Sequence, residues 1–290
     1  MKKKVLFIIN RTSGTGKYRI AEKLITENSD YKNSDYELTY TKAIGHATEL
    51  SKEAVKENFD IVVAVGGDGS VNEIGKSLVK TKTALAILPC GSGNGTARHL
   101  KIPVDLKKAM MVIRQMKIKT IDTFCVNEKT VINIAGIGYV AHIAREFSRF
   151  GKRGFFNYIR IALRDMRKYK SQNCEIEFDE KKLNRNVFII DVCNGTQWGN
   201  NAVISPHAKN DDGLLDICII NDFPFYIFPV MAARLFTKSI HRSKYVEIYR
   251  AKEFIIRQKE NYAHLDGEPT ETGNELSVKI NPASLKIIVP

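Results

Sequence analysis

Cysteine is scarce in this chain and forms no pattern. Cys90, Cys125, Cys174, Cys193 and Cys218 stand far apart, odd in number and without a CxxC pair. That excludes a disulfide framework and a cysteine zinc site, and fits buried reduced thiols of a cytosolic protein. Long apolar runs are missing too. No 18-residue apolar segment occurs; the nearest approach, 223–236, is broken by two prolines and Arg234. A membrane-spanning helix is therefore not expected, and any membrane contact should be peripheral. The opening Met-Lys-Lys-Lys imitates a signal peptide, but its apolar run ends at Ile9, too short for the hydrophobic region of one. Internal repeats and low-complexity linkers are absent. Acidic residues are also few, 32 Asp and Glu against 45 Lys and Arg, leaving a net charge of +13.

What remains is a chain of two unlike halves. With 290 residues and 43% hydrophobic content, it can bury the cores of two domains or of one large one. Up to about Thr120, apolar strands near 4–9, 37–41, 61–65 and 84–88 alternate with helical stretches, as in Ala47 to Val55 with Ala47, Leu50 and Ala54 on one face. That alternation predicts an α/β domain over 1–120, a doubly wound, mostly parallel sheet with helices on both sides. Over 121–290 the pattern turns mostly to strand. Cys174 to Phe178 alternates, a polar turn at 179–182 follows, and 187–192, 214–220, 246–249, 254–257 and 276–280 continue the theme. One helical insertion near 140–169 interrupts what reads as a mainly antiparallel β-sandwich.

Polar turns follow three of the first-half strands. Ile61 to Val65 fits a strand covered on both faces, and Gly66, Gly67, Asp68, Gly69 and Ser70 come directly after it. Glycines there allow φ > 0 and remove Cβ atoms that would keep a phosphate from the backbone N–H groups. Ser70 is expected to bond the same anion or to cap a helix starting near Val71, whose N-terminus favours negative charge. Asp68 places a carboxylate in that cradle, where it is repelled unless it faces Mg2+, a reacting proton or a hydroxyl. A tight turn with a locally bonded Asp gives the same short motif, so one glycine loop does not decide. A second loop adds weight: after Ala84 to Leu88 come Gly91, Ser92, Gly93, Asn94, Gly95 and Thr96, bare backbone with polar side chains suited to phosphate or ribose. Parallel strands end on one edge, where ligands bind, so two such loops make a pocket. After Lys4 to Ile9, Asn10 and Ser13 read as nucleotide contacts. Gly14 to Lys17 is not a P-loop, because Arg11 and Tyr18 fill its earlier glycine and its Ser/Thr positions.

The second half supplies carboxylates. The segment from Lys209 to Leu214, with Asp211 and Asp212 inside it, is rich in oxygen ligands of the kind Mg2+ takes, and reads equally as an Asp-Gly turn. Asp216 lies within the following strand. Asp266 and Glu268 flank Gly267. Either carboxylate of this pair could act as a general base for a hydroxyl proton; a polar turn is the alternative. Gly136 to Ala141 matches the dinucleotide fingerprint, yet Phe155, Phe156 and Asn157 stand where an acidic ribose ligand belongs. Those glycines therefore read as packing or as a wall of a binding pocket. Arg149, Lys152, Arg153, Arg160, Arg164, Arg167, Lys168 and Lys170 interleave with Phe155, Phe156, Tyr158 and Tyr169. Such a stripe suits an anionic membrane interface; nucleic acid or a plain solvated face are the alternatives.

Six motifs stand in one order: Asn10-x-x-Ser-Gly14, Gly66 to Glu73, Pro89-x-Gly-Ser-Gly-Asn94, Asn133 to Gly138, Asp211 to Asp216, and Asp266-Gly-Glu268. Over nearly the whole chain this resembles the bacterial members of the diacylglycerol kinase and sphingosine kinase superfamily of soluble lipid kinases. NAD kinases are similar at the first glycine loop. The resemblance implies an NAD-kinase-like α/β domain, a β-sandwich, and a phosphotransferase acting on an alcohol. It implies ATP as donor, held by Asn10, Ser13, Gly14, Thr41, Gly66, Gly67, Asp68, Gly69, Ser70, Asn72, Glu73, Gly91, Ser92, Gly93 and Asn94. Mg2+ is the second cofactor, with a structural ion on Asp212 and the carbonyls of Lys209 and Leu214. Glu268 is favoured as base, with Asp266 in orientation or Mg2+-water contacts and Asp68 next in line. Diacylglycerol or a related lipid alcohol is the first choice of acceptor, in a phospholipid-biosynthetic role. A sphingoid base, an NAD-like metabolite, or a non-catalytic basic lipid- or nucleic-acid-binding module are the alternatives. The expected partner is lipid at an anionic membrane surface, with cytoplasmic, peripherally membrane-associated location and no specific nucleic acid; a homodimer stays open. Two residues depart from the pattern: Arg11 replaces the usual proline, and His142 stands near where sphingosine kinases place a substrate-binding Asp, which argues against sphingosine itself.

Overall fold

The computed structural model describes residues 2–13, 16–27, 34–150 and 155–290. Gly14, Lys152 and Arg153, named above, lie outside the described residues. Met1–Ile121 with Ala283–Pro290 form one compact unit, and Asp122–Pro282 form a second.

In the first unit, β-branched and aliphatic runs make β1 (Lys3–Ile9), β2 (Ser34–Tyr40), β3 (Ile61–Gly66) and β4 (Ala84–Pro89). All four are parallel, in the spatial order β2-β1-β3-β4. Both β3 and β4 are buried at every residue, which is why they read as unbroken apolar runs rather than as alternation. Helices α1 (Lys17–Glu27), α2 (His46–Lys56), α3 (Asp68–Leu78), α4 (Gly95–His99) and α5 (Leu106–Gln115) connect and cover the strands, with α1 packed on α5 and α2 on α3. Because every strand runs the same way, the turns after them open on one edge. Backbone bonds lock that edge: the Asn10 N–H donates to Val65 O (3.0 Å), Thr41 N–H to Ile9 O (3.0 Å) and Cys90 N–H to Gly66 O (2.8 Å).

Strand β5 (Ile118–Val126) carries the chain into the second unit. There follow β6 (Lys129–Val131), β7 (Ile134–Gly138), α6 (Tyr139–Phe150), α7 (Phe155–Asp165), β8 (Gln172–Phe178), β9 (Lys181–Cys193), β10 (Gln197–Gly199), β11 (Ala202–Val203) and β12 (Leu215–Asn221). After α8 (Phe228–Phe236) come β13 (Val246–Ala251), β14 (Glu253–Arg257), β15 (Tyr262–Leu265), β16 (Glu268–Glu271) and β17 (Glu275–Ile288). The pairings within this unit are antiparallel, as in β15–β7, β7–β9, β8–β9, β12–β9 and β14–β17. One core gathers Phe124, Ile137, Ile176, Ile190, Ile217 and Phe254 between the strands. A second, rich in aromatics, packs Tyr139, Ile143, Ile161, Phe188 and Met231 beneath α6, α7 and α8. The expected α/β half and antiparallel β-sandwich half are both present. One detail differs. The polar turn at 179–182 is only two residues long, since Phe178 pairs with Lys181 and Asp179 and Glu180 take φ of 45° and 62°. Among the described residues no helix is long and apolar enough to cross a membrane, and the stretch around 223–236 contains a 3-10 turn at Phe225–Ile227 and then α8. Its prolines begin structure rather than break it: Pro229 sits in the first turn of α8, where a missing N–H costs nothing.

Candidate active site

At the strand edge of the first unit, β3 ends on Gly66 and the helix starts at once. Gly67 is the N-cap of α3 and Asp68 its first residue, three positions ahead of the start expected near Val71. Ser70 is consequently not a cap. It is buried in the first turn, where its Oγ accepts from Asn10 Nδ2 at 3.1 Å and ties the turn after β1 to α3. Nor do Gly66, Gly67 and Gly69 adopt positive φ. Glycine is needed at two of these positions because the protein approaches itself. A Cβ on Gly66 would stand 2.3 Å from Ser70 Oγ, and one on Gly91 would stand 2.5 Å from Gly67 Cα. The two glycine loops touch each other before they touch any ligand.

The left-handed position in the second loop belongs to Asn94, with φ of 50°. Its side chain closes the loop on Gly91, accepting the N–H at 3.0 Å and donating to the carbonyl at 2.8 Å, the local bonding that makes Asn tolerable there. Arg98, which sequence reasoning did not single out, holds the Gly93 carbonyl from Nε at 3.1 Å. Asp68 accepts the Thr96 N–H at 3.2 Å through Oδ1, while a Cβ on Gly93 would come within 3.1 Å of its Oδ2. The carboxylate thus lies in the first turn of α3 and at the start of α4, where two helix N-termini offset its charge. Ser13 is buried and donates its N–H to Asn10 O at 3.2 Å. Thr41 follows β2 on the same edge. Arg11, in place of the usual proline, lies over the Tyr40 ring at 3.8 Å; the Tyr40 hydroxyl donates to Glu22, a bond that pushes its pKa up. Glu73 faces α2 and accepts the Gly45 N–H through Oε2 at 3.1 Å. Asn72 is buried with neither amide atom hydrogen-bonded among the described residues. Gly69 and Ser92 are exposed. Burial pushes the Cys90 thiol up to about 11, which leaves it unreactive.

In the second unit, β15 ends at Leu265 and pairs there with Glu268. Asp266 and Gly267 between them have φ of 52° and 85°, the signs a type I′ hairpin turn demands. Asp266 accepts three backbone N–H groups, from Ile132 (3.0 Å), Asn133 (2.8 Å) and Ile134 (3.1 Å). It therefore fastens the hairpin to the β6–β7 connection, while Glu268 opens β16 as an exposed carboxylate.

The loop before β12 is held by ion pairs. Arg250 pairs with Asp212 and, at 2.9 Å, with the buried Asp216, whose other oxygen accepts from Ser205 Oγ at 2.7 Å. Leu214 donates its N–H to Asp212 Oδ1 at 3.2 Å. Oxygen donors of the right type for Mg2+ exist at Lys209, Asp212 and Leu214, but the guanidinium of Arg250 already supplies the positive charge, so an ion there has to displace it. Among the described residues no cluster of three or more His, Cys, Asp or Glu side chains is placed to hold a metal.

Sequence reasoning missed two buried carboxylates here. Asp122, in β5, accepts the Gly213 N–H at 2.8 Å and donates its own N–H to Asn210 O at 2.6 Å. Asp191, in β9, accepts from Trp198 Nε1 at 2.8 Å and lies 2.9 Å from His264 Nε2. The signal was available, since each is a lone Asp inside an apolar strand. Asp191 also accounts for Gly136: a Cβ there would lie 1.9 Å from its Oδ1, and Gly138, at φ of 84°, is crowded by the Phe188 carbonyl. The apparent dinucleotide fingerprint is strand packing. Elsewhere in the unit, His142 lies 3.1 Å from Asp165, and the Arg164 guanidinium bonded to the same carboxyl holds it down to about 2.

Residues 4–126 match the family model described as the diacylglycerol kinase catalytic domain, and residues 133–289 match the YegS C-terminal NAD kinase beta sandwich-like domain. The chain is 30% identical over 261 residues to the probable lipid kinase YegS-like of Klebsiella pneumoniae (strain 342), covering 88% of this chain and 86% of that one. It is 29% identical over 293 residues to the probable lipid kinase YegS of Escherichia coli O6:K15:H31 (strain 536 / UPEC), covering 98% and 95%. The crystal structure of a diacylglycerol kinase from Bacillus anthracis str. Sterne shares the fold, with a TM-score of 0.77 at 21% identity over 99% of this chain and 97% of that one. With family models across both units and relatives matched over most of their length, the chain belongs to the diacylglycerol kinase catalytic-domain family of lipid kinases.

Proposed function

We propose that this protein transfers the γ-phosphate of ATP to the hydroxyl of diacylglycerol or a related lipid alcohol. The observation that carries the proposal is Asp68, locked between two interlocking glycine loops on the edge where parallel strands bind ligands. ATP lies on that edge, against Asn10, Ser13 and Thr41, the Gly66–Ser70 turn with Asn72 and Glu73, and the Gly91–Asn94 loop. In the transfer the bond between the γ-phosphorus and its bridging oxygen breaks, ADP leaves, and the lipid oxygen takes the phosphorus. The hydroxyl proton passes to the Glu268 carboxylate. Asp266 does not compete for it, because its oxygens already accept three backbone N–H groups. Bound together with the nucleotide, Mg2+ would offset phosphate charge.

The names of the relatives favour a lipid acceptor over a soluble one such as NAD. A sphingoid base needs an anion for its ammonium group, and the carboxylate beside position 142, Asp165, is already taken by Arg164 and His142. The basic stripe of α6 and α7 would set the enzyme on an anionic membrane as a peripheral cytoplasmic protein. Incubating the protein with radiolabelled ATP and, separately, diacylglycerol, a sphingoid base and NAD tests the reading. Label should pass to diacylglycerol; label on NAD alone would overturn it.

A further inference from the structure

The second unit turns large apolar side chains to solvent along one stretch. Phe225 and Tyr226, in the 3-10 turn, are 47% and 74% exposed, and Val230 and Phe236, on α8, are 50% and 52% exposed. Helix α8 is apolar on both sides. Met231 is buried in the aromatic core, with Ile227, Phe228 and Leu235 packed against it, while Pro229, Val230, Ala233 and Phe236 face outward. Positions 226, 229, 230, 233 and 236 recur every three to four residues, so they form one stripe. Such a stripe is a liability for solubility unless something covers it.

A second row adjoins it. Ile159 and Leu163 of α7 are also exposed, and Arg167, just past α7, lies over the Phe225 ring at 4.7 Å. The surrounding charge is mostly positive, although Glu146 and Asp165 pair with Arg164. From 223 to 246 the sequence contains Arg234, Lys238, Arg242 and Lys244 and no carboxylate, and from 147 to 170 it contains eight cations and only Asp165. A second copy of this chain would set these cations against each other. An anionic bilayer matches both features, with phosphates for the cations and the acyl boundary for the aromatic stripe.

We propose that the segment from Phe225 to Phe236 is the docking element of this protein on anionic lipid bilayers. Phe225, Tyr226, Val230 and Phe236 enter the headgroup–acyl boundary while Arg160 and Arg167 meet the phosphates. The proposal deepens the lipid-kinase reading and rests on it for its purpose, but binding can be read without catalysis. Sedimentation with vesicles of phosphatidylcholine containing phosphatidylglycerol should capture the intact protein, and pure phosphatidylcholine or high salt should weaken capture. Tyr226→Ser with Phe236→Ser should lower partitioning about tenfold or more, and Arg167→Gln about fivefold. Because these side chains are exposed, melting temperature and turnover of a short-chain, water-soluble diacylglycerol should match the wild type. Undiminished vesicle binding by the double variant, or no binding by the wild type, would overturn the proposal. So would a wild-type dimer that the double variant converts to monomer without a change in vesicle binding. Vesicle binding lost in the variants of a protein that phosphorylates no lipid would uphold docking and reject the kinase reading.

Discussion

A single methyl group on Gly66 separates steric fit from ligand access at the glycine loops. In Gly66→Ala the new Cβ would stand 2.3 Å from Ser70 Oγ and 2.6 Å from Ser70 Cβ, about 1 Å inside ordinary contact. Turning the Ser70 side chain moves its Oγ but not its Cβ, which the first turn of α3 fixes, so β3 and α3 must separate. Overpacking of a closed site costs about 1–3 kcal/mol, and loss of the Asn10–Ser70 bond adds about 1 kcal/mol. A destabilisation of roughly 2–4 kcal/mol should lower Tm by about 5–15 °C for a chain of this size. Ser70→Gly removes both contacted atoms, at a cost of about 1 kcal/mol for glycine in a helix. The double variant should therefore be more stable than the sum of the single effects by roughly 1–2 kcal/mol. Urea unfolding of the four proteins, followed by circular dichroism, gives the coupling. An unchanged midpoint in Gly66→Ala with only weaker ATP binding, or strict additivity in the cycle, would refute the steric explanation and restore phosphate access as the reason for this glycine.

Asp266→Asn should lower the unfolding midpoint by roughly 1–3 kcal/mol, since an amide cannot accept all three N–H groups that the carboxylate does, whereas Glu268→Gln should leave Tm unchanged; equal stabilities would contradict the tether. Arg250→Met strands the buried Asp216 without its cation and should cost about 3–5 kcal/mol. A chelator should not move the wild-type Tm, because the guanidinium already neutralises Asp212, and a drop on chelation would place an ion on the loop from Lys209 to Leu214. Bonds from Arg185, Tyr249 and Asn221 lower the Glu247 carboxyl from its ordinary 4.5 to about 2. Its stabilisation is thus full above 4.5 and lost as pH falls toward 2. Urea midpoints at pH 5, 4 and 3 should fall less steeply in Glu247→Gln than in the wild type, and parallel curves would sink that assignment.

The strands of the first unit were legible because a parallel sheet buries both faces and leaves unbroken apolar runs, as at 61–65 and 84–88. The β-sandwich was legible where alternation is clean, as at Cys174 to Phe178. Helix α8 was not, because an apolar helix with prolines at its entry carries no polar face to reveal its period. The nucleotide edge was recognisable from its glycines, but their reason was not. Whether a missing Cβ serves a ligand, a left-handed φ or a neighbouring loop depends on which residue lies opposite, and Gly67 and Gly91 are 24 positions apart. Asp266 and Glu268 looked interchangeable for the same reason: the three N–H groups that occupy Asp266 come from residues more than a hundred positions away.

Transfer of radiolabel from ATP to diacylglycerol by the wild type, Asp68→Ala and Glu268→Gln tests the proposed chemistry most directly. The wild type should form a labelled lipid phosphomonoester. Asp68→Ala should form none while keeping its fold, and Glu268→Gln should lose about 10²–10⁴ in kcat with ATP affinity little changed. Undiminished turnover in both variants, or no labelled lipid from the wild type, would contradict it.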